Sequence, residues 1–73
     1  LKEREQILRE AIEALPPDYK VVLVLRDLEG LSNEEVAEVV GASVLAVKAR
    51  LHRARLALRG RLERYATASG VRP

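Results

Sequence analysis

The sequence predicts a small all-α domain of four helices, without a winged element. Apolar residues recur every three or four positions along most of the chain, which is the period of a helix with one buried face. Pro16-Pro17, Gly30 and Gly41 interrupt this pattern, and helices commonly begin or end at such residues. With 73 residues the chain forms one domain, near the lower size limit for a self-sufficient core.

The composition excludes several classes of protein. There is no cysteine, which rules out a disulfide framework and a thiolate metal site. No apolar run reaches the length of a membrane span and no signal-peptide pattern is present, so we expect a cytoplasmic protein with no membrane partner. Because the chain starts at Leu1 rather than at methionine, we expect it to be cut from a longer protein.

The first two helices are separated by the proline pair. The first is predicted over residues 1–15, and its apolar side consists of Leu1, Leu8, Ala11, Ile12 and Leu15. The second follows from Asp18 to about Glu29, with Pro17 suited to its first position. Residues 21–25 could also form a buried strand, but helical spacing and the lack of a partner strand favour a helix, which we expect to be buried on most sides. The residues at that spacing are Tyr19, Val22, Leu25 and Leu28.

The third helix has a complete start signal. Ser32 and Glu35 match the capping box, in which each side chain bonds to the backbone N–H of the other residue. Leu31 is placed to pack against Val36, and Gly41 ends the helix after little more than two turns. The buried side is predicted to consist of Val36, Ala37, Val39 and Val40.

The fourth helix is capped by Ser43 and runs from Val44 to about Tyr65. Its apolar stripe consists of Val44, Val47, Leu51, Ala54, Leu58 and Tyr65. Residues 1–65 are therefore predicted as the domain and residues 66–73 as a C-terminal tail. The third and fourth helices form a helix-turn-helix over about residues 32–55, a motif whose second helix enters the major groove of DNA.

The charges are divided unevenly along the chain. Residues 1–43 carry five Lys/Arg and ten Asp/Glu, whereas residues 44–73 carry eight Lys/Arg and one Glu. Such a split predicts that the fourth helix meets a polyanion. The candidate DNA-binding residues, which lie away from the apolar stripe or cap the helix, are Ser43, Leu45, Ala46, Lys48, Ala49, Arg50, His52, Arg53 and Arg55.

These candidates divide by their direction on the helix. Arg53 and His52 face outward and are predicted to read bases, with Lys48 at the boundary between bases and phosphates. Arg50 and Arg55 lie on the two shoulders, nearer the phosphate walls of the groove. The helix N-terminus adds backbone N–H groups that suit a phosphate.

No catalytic or cofactor-binding pattern is present in the sequence. It lacks a phosphate-binding glycine loop, a cysteine nucleophile and a supported Ser/His/Asp set. His52 is the single histidine, and no second ligand lies at metal-binding spacing, so we expect no metal and no cofactor. The chain is predicted not to be an enzyme.

Three segments resemble region 4 of bacterial RNA polymerase sigma factors, especially the extracytoplasmic-function (ECF) group of the sigma-70 family. They are residues 14–19 (ALPPDY), 22–32 (VLVLRDLEGLS) and 47–55 (VKARLHRAR). The resemblance implies a four-helix domain that binds the promoter −35 element while docked on the RNA polymerase core, at the flap of the beta subunit. It also implies a region 2 that precedes this chain and would open the promoter −10 element, and an anti-sigma factor as a further partner.

The chain departs from the family pattern where the fourth helix begins. Relatives commonly have Gly-Thr-Val before the basic run and Ser after the first cation. Here the matching residues are Leu45-Ala46-Val47 and Ala49, so that methyl groups replace two hydroxyl groups that could contact DNA.

Two other interpretations remain open. Residues 30–37 also resemble the helix-turn-helix of response-regulator output domains, which are transcription regulators of a different kind. A helical protein-interaction module bound by an anti-sigma factor would use the exposed apolar edges for a protein instead of DNA.

Overall fold

The computed structural model describes residues 2–68, and these residues are helical apart from short connections. The helices are α1 (Lys2–Glu13), α2 (Pro17–Leu23), α3 (Asn33–Val40) and α4 (Val44–Ala68). A π-helical turn over Val24–Leu28, here called the π turn, continues α2 without a break. No strand occurs within residues 2–68, and the predicted all-α, four-helix fold is confirmed.

The junction between α1 and α2 follows from its two prolines. Pro16 has an extended backbone (φ −55°, ψ 146°), and Pro17 occupies the first turn of α2. At that position the missing N–H of proline leaves no hydrogen bond unmade. The Lys20 ammonium donates to a Glu13 carboxylate oxygen at 3.0 Å, so an exposed ion pair also links the two helices.

Residues 21–25, for which a strand was the alternative prediction, are helical. The helix widens from an α-helix to a π-helix after Leu23. The Glu29 N–H donates to the Val24 carbonyl oxygen at 2.9 Å, five residues back instead of four. The wider turn ends at Gly30, whose φ of +80° suits a residue without a side chain. The expectation that this helix is buried on most sides is only partly right, because Leu28 is 60% exposed.

Side-chain caps begin both α3 and α4. The Glu35 N–H donates to Ser32 Oγ at 3.1 Å, and the Ser32 N–H donates to Glu35 Oε1 at 2.8 Å. These bonds form the predicted capping box, and they lower the pKa of the Glu35 carboxyl. Gly41 ends α3 in the left-handed region (φ +70°), and Ser43 Oγ accepts the Ala46 N–H at 3.0 Å to cap α4.

The core is formed where α2 and α3 pack on α4. Three valines, Val22, Val36 and Val47, are completely buried, one from each of these helices. Their buried neighbours in the same cluster are Leu15, Leu23, Ala37, Leu51 and Ala54. All of the buried side chains among the described residues are apolar, so the hydrophobic effect holds the helices together without a buried polar network.

Three expectations about burial and length differ from the structure. Val39 is 63% exposed, because α3 presents Val36 and Ala37 to α4 and points Val39 away from it. Tyr65 is 39% exposed and therefore lies at the edge of the apolar stripe. Helix α4 continues to Ala68, three residues beyond the predicted end, while the rest of the predicted tail, residues 69–73, lies outside the described residues.

Candidate nucleic-acid interface

The first half of α4 presents two faces of opposite character. Val47, Leu51 and Ala54 are buried against the other helices. The exposed residues of the outward face are Leu45, Lys48, Ala49, His52 and Arg53. The capped start of α4 fixes this rotation, because the core valine Val47 is the fourth residue of the helix. The outward face is thus the one on which sequence placed base-reading residues.

The remaining candidates lie at the N-terminus and on the shoulders of α4. Arg50 is half-buried, as expected for a shoulder position, whereas Ala46, which was expected to lie away from the apolar stripe, is half-buried as well. Ser43 is exposed, and its hydroxyl oxygen is occupied by the Ala46 N–H in the cap. Its O–H remains able to donate to a phosphate, since a hydroxyl carries one donor besides its acceptor lone pairs.

Arg55 is the candidate whose surroundings differ most from the sequence-based picture. Its Nε donates to Asp27 Oδ2 at 2.9 Å and its Nη2 to Asp27 Oδ1 at 2.6 Å, a two-pronged ion pair between α4 and the π turn. The bond from Arg55 lowers the pKa of the Asp27 carboxyl, and the same pair raises the pKa of Arg55. Arg55 therefore ties α4 to the π turn.

Sequence reasoning missed Asp27, and no local signal identifies it. It is one of ten acidic residues before residue 44, and its partner lies 28 positions away. A second missed contact joins the π turn to α3, where Arg26 Nε donates to Asn33 Oδ1 at 3.1 Å. Both contacts depend on the directions in which the side chains of Arg26 and Asp27 leave the π turn.

The charge of α4 is of one sign over most of its length. Residues 44–62 contain six Lys/Arg and no Asp/Glu, and Glu63 is the first acid of the helix. Five of these cations, all but the half-buried Arg50, are exposed. A helix with this arrangement offers a positive surface on both sides of its outward face, as a groove with two phosphate walls requires.

A second surface adjoins the Asp27–Arg55 pair. A groove of about 800 Å³ runs between α2 and the second half of α4. Its apolar part is made by Leu23, Leu58, Leu62 and Ala66, and its charged rim by Asp27, Arg55, Arg59 and Glu63. Apolar floors with charged rims are typical of surfaces that bind other proteins.

The part of the chain that the structure describes contains neither a cluster of metal-binding side chains nor a membrane-spanning helix. Within it, no three His, Cys, Asp or Glu side chains come together as a metal site would require. None of the helices described is both long enough and apolar enough to cross a bilayer.

Comparison with known proteins identifies relatives with the same segments. The family described as Sigma-70, region 4 matches residues 5–58. The ECF RNA polymerase sigma factor SigE of Mycolicibacterium smegmatis is 38% identical over 60 residues, which cover 82% of this chain and 23% of the relative. The ECF RNA polymerase sigma-E factor of Haemophilus influenzae is 39% identical over 61 residues, covering 84% of this chain and 32% of the relative.

A third relative gives the same correspondence. The ECF RNA polymerase sigma-E factor of Escherichia coli K12 is 39% identical over 62 residues, or 85% of this chain and 32% of the relative. The chain therefore spans a third or less of the length of the curated relatives it matches. The family match covers most of α1, all of α2, the π turn and α3, and the first half of α4, and on this basis the chain belongs to the sigma-70 region 4 family, as an ECF sigma factor region 4.

Proposed function

We propose that this chain recognises the promoter −35 element in an ECF-type sigma factor, docked on RNA polymerase for transcription initiation in the cytoplasm. The observation that carries the proposal is the outward face of α4, where Lys48, His52 and Arg53 are exposed opposite a buried apolar stripe. The role is binding and not catalysis. We do not retain the response-regulator alternative, because the chain belongs to a different family.

The proposed docking places the first half of α4 in the major groove. That groove is about 12 Å wide and admits one helix, whose outward side chains then reach the base edges. Arg53 and His52 would read bases there, with Lys48 between bases and phosphates. Arg50 on one shoulder would contact a phosphate wall, and the capped N-terminus of α4 at Ser43 would face a phosphate with its free N–H groups.

We also propose that Arg55 contacts a phosphate, although it is paired with Asp27. A guanidinium carries five N–H donors, and the pair with Asp27 uses two of them, one on Nε and one on Nη2. Both donors on Nη1 remain for a phosphate oxygen. Its side chain is 52% exposed, so that edge is open to a ligand.

Docking on the polymerase is proposed for the apolar groove between α2 and the second half of α4. The α4 residues in the apolar part of this groove, Leu58, Leu62 and Ala66, lie farther along α4 than Lys48, His52 and Arg53, and the groove meets the DNA-binding face at Arg55. We propose the flap of the beta subunit as its occupant during initiation. We retain the protein-interaction alternative in one form. An anti-sigma factor that covers the same groove would prevent the polymerase from binding there.

The test is a charge-reversal experiment with a matched control. A double variant, Lys48→Glu with Arg53→Glu, is compared with Arg4→Glu with Arg9→Glu on α1, which changes the net charge by the same amount at exposed positions. Binding is measured on a duplex selected from a randomised library at low salt, where phosphate contacts are strongest. We expect the α4 variant to lose binding and the α1 variant to retain it. Equal losses, or no loss in either, contradict the proposal.

A further inference from the structure

Leu45 is the most exposed large hydrophobic residue of the described chain, at 78%. It is the second residue of α4, close to the cap, and does not belong to the core cluster. Two more apolar side chains follow it on the same side of the helix, Ala49 one turn later and the half-exposed Leu56 about three turns later. At about 100° per residue, these three positions fall within roughly 40° of one another.

This apolar line lies between rows of cations. Lys48 is exposed on one side of it and Arg53 on the other. An occupant that matches the whole face must therefore combine anionic walls with an apolar centre. The major groove of DNA has this composition, because phosphates form its walls and the C5-methyl groups of thymines project from its floor. Duplex RNA does not fit, because its major groove is deep and narrow.

We propose that Leu45, together with Ala49, reads thymine by packing against its C5-methyl group. The inference rests on the proposed function and names a base that the domain selects. Neither side chain carries a hydrogen-bonding group, so contact with a methyl is the base-specific interaction open to them. Leu45 and Ala49 lie about 6 Å apart along the helix axis, close to two base-pair steps of about 3.4 Å. The thymines they contact are therefore within about two base pairs of each other.

The experiment removes only the methyl group. A preferred duplex is selected from a randomised library with this chain at low salt, and each thymine is then replaced by deoxyuridine, one at a time. Deoxyuridine keeps every hydrogen-bonding group of thymine and lacks the methyl. We expect binding to weaken about fourfold at the sensitive thymine, the factor that corresponds to burying one methyl-sized group.

Two leucine variants assign the effect to a side chain. Leu45→Ala is expected to bind the thymine and deoxyuridine duplexes equally at that position. Leu28→Ala is the matched control, since Leu28 is also an exposed leucine (60%) but lies on the π turn, and it is expected to keep the fourfold difference. Because both leucines are exposed, both variants are expected to fold, and thermal unfolding checks this.

The outcomes distinguish a failure of this inference from a failure of the proposed function. If selection returns no preferred sequence, the proposed function fails and this inference fails with it. If a sequence is selected but contains no thymine there, or if the deoxyuridine series is flat, only this inference is overturned. A difference that persists in Leu45→Ala at every sensitive thymine also overturns it, because Leu45 then contacts no methyl.

Discussion

At the scale of single residues, Arg50 and Arg53 lie on the same turn of α4 but have different surroundings. Arg53 is exposed on the outward face, whereas Arg50 is half-buried beside the core stripe. A long cation on the shoulder packs its apolar stem and extends its charge toward solvent. The two arginines are therefore expected to contribute to binding in different ways.

We predict that Arg53→Ala relaxes the preference at one or two −35 positions. A two-pronged arginine–guanine pair contributes about 1–3 kcal/mol of discrimination, which this variant removes. Arg50→Ala is expected to weaken binding about equally on all sequences and to reduce the salt slope by about one unit. The measurement is binding across a −35 base-substitution series at two salt concentrations. If Arg53→Ala lowers binding uniformly and Arg50→Ala changes the base preference, the helix is rotated differently in the groove.

The Asp27–Arg55 pair leads to a prediction about acid stability. The pKa of Asp27 is lowered in the folded state, so its carboxylate stabilises the fold above the ordinary aspartate pKa and ceases to do so as the pH falls through the lowered value. Asp27→Asn is expected to destabilise the domain at pH 7 by less than about 1 kcal/mol, because both side chains are substantially exposed. Below about pH 4 the difference from the unmodified chain is expected to shrink.

The control for this prediction is Glu29→Gln, which removes one exposed carboxylate just after the π turn. Thermal unfolding of the three proteins is followed between pH 7 and pH 2. A difference between Asp27→Asn and the unmodified chain that grows as the pH falls would contradict the assigned sign.

At the scale of elements, the packing of α3 on α4 depends on a small residue. Ala37 is 8% exposed and lies in the core cluster with Val47 and Leu51. Its neighbour Val39 is on the same short helix but 63% exposed. This pair of positions allows a buried substitution to be compared with an exposed one in the same element.

We predict that Ala37→Glu unfolds or loosens the domain, while Val39→Glu has little effect. A buried, unpaired carboxylate costs several kcal/mol, which is a large part of the total stability of a small domain. The measurement is the melting temperature by circular dichroism. An unchanged melting temperature for Ala37→Glu would mean that α3 does not pack on α4 as the structure shows.

Local signals allowed most helix boundaries to be predicted from sequence. The proline pair, the Ser32–Glu35 capping box and Gly41 each act through neighbouring backbone groups, so their effect is readable within a few residues. The rotation of α4 was likewise predictable, because its apolar stripe spans several turns. The DNA contacts themselves stay predictions.

The features that sequence could not supply depend on the π turn and on tertiary packing. Asp27 and Leu28 lie within the π turn, which holds an extra residue, so regular helical spacing does not predict the directions of their side chains. Leu28 is exposed, and Asp27 contacts Arg55 across 28 positions. Val39 was misplaced because α3 is too short for apolar spacing to distinguish its buried side from its flank.

At the scale of the whole molecule, the chain is a small helical domain for which we propose two binding surfaces that meet at Arg55. A single DNA-binding module buries about 600–1,000 Å² of protein surface, which supports only modest affinity. A partner that holds the module beside a second DNA contact raises its effective concentration and hence its occupancy. The apolar groove along the second half of α4 is where we propose that this partner binds.

We predict that the isolated chain binds the −35 element weakly, with a dissociation constant near the range of non-specific binding, about 10⁻⁴–10⁻⁶ M at physiological salt. Affinity is expected to rise when polymerase presents the chain beside region 2. Fluorescence anisotropy on the same duplex, with and without polymerase, measures both values. A sequence preference of the isolated chain at low salt is consistent with this prediction, whereas tight and sequence-specific binding at physiological salt would contradict it.

The measurement that tests the central claim most directly is a hydroxyl-radical footprint of RNA polymerase carrying a sigma factor with this chain as its region 4. With the unmodified chain, the account predicts protection of both the −35 and the −10 elements. With Lys48→Glu and Arg53→Glu together, it predicts that protection of the −35 element is lost while the −10 element stays protected. Unchanged protection of the −35 element in that double variant would contradict the assignment of α4 as the helix that reads it.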